Sequence, residues 1–363
     1  MSKDKRILLV CPSSPRTHAG GTVNMVMQIA KNLDKNFADI SIMTTGKRPM
    51  KERFKNISLE EYPTIGSAIN YFLSPSLIKS VHRKKADIIH CFGFNNLITL
   101  FLMMCKPRSS RLIVTPASAG SSSVFRKILL KLHTWIFKFF AGRIDAMIFL
   151  SKFEKELFLN KLGIRPRSES IIPIGVDIEN INKTKINKKY EIVSVGRLVR
   201  NKGFFRLLKL FKKITEIDAK IRLKIIGRGK EGEKLKKRAK KLGISNKVNF
   251  IDKIPLDQRK RFFREIKEST AFVFLSRYES QGAVISEAVA AGLPVFIFSN
   301  SAQSEFIEKG WAIKLDEKES VDSMAQKICN ALKRKRIYKN NITPPSIKDS
   351  VKLHRNLYIS ILH

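Results

Sequence analysis

The most constraining feature of this chain is an alternation that runs through it twice. Ile7–Cys11 is a short apolar run closed by Pro12, followed by a Gly20-Gly21 loop, an amphipathic stretch over Val23–Leu33 and a second apolar run over Asp39–Thr44. Strand, glycine loop, helix, strand predicts the opening of a parallel, doubly wound sheet, because parallel neighbours need a helical crossover and are covered on both faces. Ala86–His90, Leu112–Thr115, Ala146–Leu150 and Ser170–Ile174 continue the strand series. The polar segment Asn180–Tyr190 reads as a linker, and the alternation then restarts. Strands are expected at Glu191–Val195, Arg222–Ile226, Val248–Ile251, Ala271–Leu275 and Pro294–Ile297. Helices are expected at Gly203–Ile214, Glu231–Leu242, Leu256–Lys267 and Ala283–Ala291. At 363 residues two domains are expected. Residues 1–178 would form one Rossmann-like domain and 179–345 a second, with 346–363 a final helix. Such halves predict a ligand crevice at the carboxyl ends of the strands.

Charge narrows the partners. Lys and Arg number 70 against 31 Asp and Glu, a net +39 carried by both halves. That field favours anions: nucleotides, nucleic acid or a membrane surface. It is equally compatible with a lysine-rich, solvated exterior. The basic residues are spread widely and no DNA- or RNA-binding module is recognisable, so no specific nucleic-acid partner is expected. Cys11, Cys91, Cys105 and Cys329 stand far apart without metal-like spacing, which suits free thiols in a reducing cytosol. The apolar run before Pro12 is short for a signal peptide, and Leu97–Cys105 is short for a membrane span. A cytoplasmic protein, soluble or peripheral on a membrane, is the expectation.

Two segments carry chemistry. In Val195-Gly196-Arg197-Leu-Val-Arg-Asn-Lys202-Gly203, a strand ends, two cations stand five apart and a helix opens. Arg197 and Lys202 can meet one anion beside free backbone N–H groups at the positive end of a helix dipole. Two solvated cations are the plainer alternative. In the second segment, from Ser276, Glu279 lies in a loop after a strand and a helix opens near Gly282–Ala283. Glu287 follows in its early turns. The N–H groups of Gly282, Ala283 and Val284 would then face phosphate oxygens, while the carboxylates reach hydroxyl groups. Here the plainer alternative is an acidic pair serving the helix dipole.

Together these segments resemble the retaining glycosyltransferases of family 4, which have the GT-B fold: two doubly wound Rossmann-like domains facing across a cleft. The resemblance rests on Val195-Gly196-Arg197, Lys202-Gly203, Glu279…Glu287 and Ala290-Ala-Gly292-Leu-Pro294-Val. Gly20-Gly21, Asp87-Ile-Ile-His90, Ser151, Pro173-Ile-Gly175-Val-Asp177 and the final helix near Asp349–Leu362 add upstream and downstream landmarks. It implies that Arg197 and Lys202 bind the diphosphate of a nucleotide-sugar, Glu287 the ribose and Glu279 the transferred sugar. Gly20 and Gly21 would approach the same diphosphate, and Gly227 would lie near the nucleotide. It also implies hexosyl transfer without divalent metal or other cofactor, from a UDP-sugar donor, to a glycan or lipid-linked acceptor of a cell-surface polysaccharide. The chain departs from the family at Glu279-Ser280-Gln281-Gly282, where E-G-F-G is usual, and at Ala117, where a histidine is common. Ser301-Ala-Gln-Ser304-Glu305 replaces G-G-x-x-E, and Ile174 stands in the usual P-N-G. These departures motivate an alternative, a catalytically degenerate GT-B-fold binding or scaffold protein.

Two further stretches invite readings of their own. Gly227-Arg-Gly229-Lys-Glu-Gly232 matches the G-x-G-x-x-G of dinucleotide-binding enzymes, although it opens the second βα unit of its half and carries bulky cations. Val124–Arg143 sets Phe125, Ile128, Leu129, Leu132, Trp135, Ile136 and Phe139 at helical spacing, flanked by Arg126, Lys127, Lys131, Lys138 and Arg143. That composition suits an interfacial membrane helix, and also a core-packing helix with lysines outside.

Overall fold

The computed structural model describes residues 5–15, 20–33, 37–54, 57–66, 72–118, 124–333 and 343–363, with backbone alone for 124–130. The chain forms two compact units. One comprises residues up to Gly175 together with Ile347–His363, and the other is Val176–Ser346.

In the N-terminal unit the strands are β1 (Arg6–Cys11), β2 (Asp39–Gly46), β3 (Met50–Phe54), β4 (Ile57–Pro63), β5 (Ile88–Phe92), β6 (Arg111–Thr115), β7 (Ala146–Phe149) and β8 (Glu169–Ile171). They lie in the order β3-β4-β2-β1-β5-β6-β7-β8. All neighbours are parallel except β3 with β4. The central strands are apolar along their whole length because helices cover both faces: Ile7, Leu9, Ile88, Ile89, Leu112 and Ile113 are fully buried. The terminal helix Ile347–Leu362 belongs to this unit and packs on the helix Gly21–Asn32. Two hydrogen bonds fasten it, and a third, within the sheet, orients the histidine that takes part in one of them. His90 Nδ1 and Tyr358 Oη are 2.7 Å apart, His90 Nε2 and Thr115 Oγ1 are 2.8 Å apart, and Ser350 Oγ donates to the Pro173 carbonyl at 2.8 Å. Burial holds the His90 imidazole well below the usual histidine range, as a neutral hydrogen-bonding group.

The C-terminal unit contains β9 (Glu191–Val195), β10 (Arg222–Ile226), β11 (Val248–Ile251), β12 (Ala271–Phe274), β13 (Val295–Ile297) and β14 (Ile313–Lys314). Their order is β11-β10-β9-β12-β13-β14, all parallel. The chain winds outward from β9 in one direction and from β12 in the other. The topological switch point therefore lies between the carboxyl ends of β9 and β12, where ligands of doubly wound sheets bind.

The doubly wound α/β expectation agrees with this architecture. Three local expectations differ. Asn180–Tyr190 is not all linker: Ile178–Lys183 is a helix capped by Asp177, whose Oδ1 accepts from the Asn180 N–H at 3.2 Å. The antiparallel pair β3–β4 was not read from the sequence, since Lys51, Glu52, Arg53, Glu60 and Glu61 interrupt any apolar run at this sheet edge. The strand expected over Ser170–Ile174 is only Glu169–Ile171.

Candidate active site

The switch point is built by two loops held together through backbone. Gly196, following β9, donates its N–H to the Ile226 carbonyl at 3.0 Å. Leu198 N–H donates to Arg228 O, and Glu231 N–H to Leu198 O, both at 3.0 Å. The loops after β9 and β10 are thus joined rung by rung. Gly227 sits at φ +154°, and a Cβ there would lie 1.9 Å from the Gly196 carbonyl oxygen. At Gly229 a Cβ would lie 2.4 Å from Leu198 O. These contacts account for the first two glycines of the G-x-G-x-x-G match without a dinucleotide. Gly232 meets only the Leu198 side chain at ordinary contact distance.

The β9 loop then crosses to β12. Arg200–Lys202 forms one 3₁₀ turn, and Gly203 follows at φ +76°, where a Cβ would lie 2.0 Å from the Leu275 carbonyl oxygen. The Asn201 carbonyl accepts from the Arg277 N–H at 3.0 Å. This crossing delivers Lys202 to Glu279: their side chains form an ion pair, each about one-seventh to one-eighth exposed. The Phe274 ring lies beneath the ammonium, 5.6 Å from its centroid. Glu279 is positioned from the other side, its N–H donating to Ser301 Oγ at 2.9 Å. Ser301 in turn donates to Gln303 Oε1 at 3.1 Å, and Gln303 Nε2 to the Ser276 carbonyl at 3.2 Å. Ser301 and Gln303 stand where the family has another motif, yet they rebuild a support for the same loop.

Gly282, at φ +86°, opens the helix Ala283–Ala290 without any side-chain cap. The Ile285 N–H is taken by the Gly282 carbonyl at 2.8 Å, but those of Ala283 and Val284 have no intrahelical acceptor, so this end can receive an anion. Glu287 lies on the helix's buried face and is paired with Arg259, whose guanidinium stacks 4.4 Å from the centroids of Phe262 and Phe263. Burial pushes the Glu287 carboxyl above the usual range, against the pull of Arg259.

The sequence-derived residues therefore divide into groups. Lys202 meets Glu279, and Gly282, Ala283 and Val284 form the adjoining helix start. Glu287 is held by Arg259, a residue the sequence reading did not single out. Arg197 is exposed and makes no ion pair among the described residues. Gly227 abuts Gly196. In the N-terminal unit, Gly20 caps the helix Gly21–Asn32 with φ −107° and ψ 168°, and Gly21 is exposed. No described atom lies within 4 Å of a Cβ built at Gly20. Unlike Gly203, Gly227 and Gly229, Gly20 is not demanded by packing among the described residues. Ser151 caps the helix Lys152–Glu156 by accepting from the Glu154 N–H at 3.0 Å, a structural role. Ala117 adopts φ +49°, rare for a residue with a Cβ.

Two family models match the chain in tandem. "Glycosyltransferase Family 4" matches residues 19–180, and "Glycosyl transferases group 1" matches residues 176–343. The chain belongs to glycosyltransferase family 4. A glycosyltransferase of Haemophilus influenzae is 27% identical over 301 residues, 78% of each chain. The GDP-mannose:cellobiosyl-diphosphopolyprenol alpha-mannosyltransferase of Xanthomonas oryzae is 23% identical, covering 76% of this chain and 73% of its own. Among solved structures, Anabaena HepE in complex with UDP and glucose superposes with a TM-score of 0.70 at 16% identity. That match covers 99% of this chain and 97% of HepE. The fold is GT-B, and the protein is a glycosyltransferase.

Proposed function

We propose that this family 4 enzyme is a hexosyltransferase that moves a sugar from a nucleotide-sugar to a glycan or lipid-linked acceptor in cell-surface polysaccharide biosynthesis. It retains the anomeric configuration and needs no divalent metal. The observation that carries the reading is the Lys202–Glu279 pair at the β9/β12 switch point, beside the uncapped start of the helix Ala283–Ala290. A largely desolvated ammonium and free helix N–H groups form an anion site suited to a diphosphate. In this reading the incoming diphosphate takes Lys202 from Glu279, and the released carboxylate accepts hydrogen bonds from the sugar hydroxyls. Arg197 supplies a second cation from the same loop. Glu287, with one oxygen committed to Arg259, accepts a ribose hydroxyl, while Gly227 lies near the nucleotide. Gly20 and Gly21 are assigned to the diphosphate on the family resemblance.

The chemistry follows from leaving-group stabilisation. The bond from the sugar C1 to the diphosphate oxygen breaks as the acceptor oxygen bonds to C1 on the same face. The acceptor's proton passes to the departing phosphate oxygen. Lys202, Arg197 and the helix N–H groups offset the charge that develops on the diphosphate, so positioning and preorganised charge provide the acceleration. Uridine is the base we favour from the family resemblance. HepE was solved with UDP, and the Xanthomonas relative is named for GDP-mannose, so both bases belong in the test.

The lipid-linked acceptor is suggested by the same relative's name and by the helix Val124–Phe139. Its core-facing residues are His133 and Phe137, while Leu132, Trp135 and Phe139 are 58%, 67% and 75% exposed. Phe125, Ile128 and Leu129 lie outside the described side chains. An exposed aromatic stripe with Lys131, Lys138 and Arg143 suits peripheral contact with an anionic cytoplasmic membrane face. No described helix is long and apolar enough to cross a membrane.

The test is transfer from UDP- and GDP-sugars to polyprenyl-diphosphate-linked glycans in excess EDTA, with the product's anomeric configuration read by NMR. A product of retained configuration is expected. An inverted product, or one formed only with added divalent metal, would overturn the mechanism. Folded protein inactive with every donor would favour a binding or scaffold role.

A further inference from the structure

A second basic site lies in the N-terminal unit, away from the carboxyl ends of its strands. Arg111 opens β6, Asp145 immediately precedes β7 and Arg167 precedes β8, so the three mark the amino-terminal edge of the sheet. Around them Lys106, Arg108 and Arg143 complete the wall of a recess of about 200 Å³. Five cations thus surround a single carboxylate.

Part of this cluster is structural. Asp145 is buried and accepts from the Leu112 N–H at 2.8 Å; Lys106, Arg111 and Arg167 approach it at 2.8, 3.4 and 3.5 Å. Arg143 donates to the Met104 carbonyl at 2.8 Å, and Arg167 to the Gly142 carbonyl at 3.0 Å. These bonds do not exhaust the donors. A guanidinium has five N–H groups, and Arg111, Arg143 and Arg167 remain exposed with most of theirs unspent. Arg108 is exposed and has no ion pair among the described residues. One carboxylate cannot neutralise five cations, so the recess keeps a concentrated positive field and converging donors, the requirements for a phosphate.

Its neighbours specify where that phosphate comes from. Arg143 follows the helix Val124–Phe139 by four residues, and its hydrogen bond to Met104 ties it to the helix Leu97–Cys105. Each helix exposes apolar side chains towards its C-terminal half: Phe101 and Met104 on one, Trp135 and Phe139 on the other. Exposed apolar groups on two helices that end just before residues of a cationic recess match a lipid–water boundary better than a soluble anion.

We propose that the recess bounded by Arg108, Arg111, Arg143 and Arg167 holds the phosphate of an anionic lipid head group. Phe101, Met104, Trp135 and Phe139 then enter the adjoining acyl boundary. The inference rests on the peripheral membrane contact proposed above and deepens it, because it assigns the docking a head-group site separate from the donor site.

The experiment measures partition of the full chain onto phosphatidylcholine vesicles with and without phosphatidylglycerol. Arg108→Glu and Arg143→Gln are compared with Lys240→Gln/Lys241→Gln, a control that removes exposed charge from the other unit. Thermal melting verifies that each variant is folded. Arg108→Glu makes the stricter test, since its side chain has no ion pair to lose. Partition onto the anionic vesicles should fall about fivefold or more for each arginine variant and change little in the control. Equal loss in control and arginine variants, or no loss in the latter, overturns the head-group site while leaving membrane contact standing. Wild-type protein that ignores both vesicle types overturns the membrane reading itself. Binding of inorganic phosphate that is lost in Arg108→Glu, with vesicle partition unchanged, would overturn the lipid as the source of the phosphate.

Discussion

In the proposed donor site, Lys202 has a partner that it must give up to a diphosphate. Glu279 neutralises it over the Phe274 ring, so the cation is held in place and partly desolvated before any phosphate arrives. Glu279→Gln should therefore leave affinity for a nucleoside diphosphate unchanged or tighter, because Lys202 is released. The same change should slow sugar transfer by about ten- to a hundredfold, the worth of a charge-assisted hydrogen bond. A parallel loss of nucleotide affinity, read by calorimetry, would contradict the division of labour between the two residues. Glu154 makes a prediction of a different kind. It is fully buried, accepts from Ser118 N–H at 2.6 Å and Leu150 N–H at 2.7 Å, and burial nevertheless pushes its carboxyl up to about 8. A carboxyl raised in the folded state favours folding below its ordinary value near 4.5, and that contribution is lost as pH rises through 8. Melting temperature should fall between about pH 5 and 9, and Glu154→Gln should flatten that slope. A slope unchanged in the variant would assign the pH dependence elsewhere.

Among the elements, the joined loops after β9 and β10 leave no room for a side chain at two of their glycines. Gly227→Ala forces a Cβ into the Gly196 carbonyl at a backbone angle alien to alanine, and should cost more than about 3 kcal/mol in chemical denaturation. A loss below about 1 kcal/mol would show that the loops can separate. The sequence could not reveal this contact: G-x-G-x-x-G has the same letters whether glycine admits a pyrophosphate or a neighbouring carbonyl. Buried parallel strands were legible because helices cover both faces and leave continuous apolar runs, as at Ile7–Cys11 and Ala271–Phe274. The β3–β4 edge was not, because one wet face admits charge and erases the run. Lys224 shows the limit inside a strand that was read correctly. It is 2% exposed in the middle of β10, where Glu191 at 2.6 Å and Glu265 at 2.9 Å compensate its charge. Partners so distant in sequence leave no local trace. Arg259 escaped notice for the same reason: within Arg259-Lys260-Arg261 nothing distinguishes the cation that turns inward to Glu287. Glu279 and Glu287 were noticed because their spacing repeats a family motif; their partners Ser301 and Arg259 follow no such pattern.

At the scale of the molecule, the +39 charge suits the two anionic ligands proposed above, a nucleotide at one switch point and a membrane surface. Trp135→Ser/Phe139→Ser should reduce partition onto anionic vesicles without lowering the melting temperature, because both side chains are mostly solvent-exposed. Raised salt should weaken the attraction of the basic rim and leave the aromatic contribution, so the double variant should become the more salt-sensitive protein. Unchanged partition in the double variant would remove this helix from the interface. Above all, the β9/β12 switch point is proposed to grip a nucleotide diphosphate through Lys202. Its most direct test is calorimetric titration of UDP and of GDP, in EDTA, into the wild-type protein and Lys202→Ala. At least one nucleotide should bind without metal, and the variant should bind it weaker by roughly 1.5–3 kcal/mol, about ten- to a hundredfold. Equal affinity for wild type and variant, with both proteins folded, would contradict it.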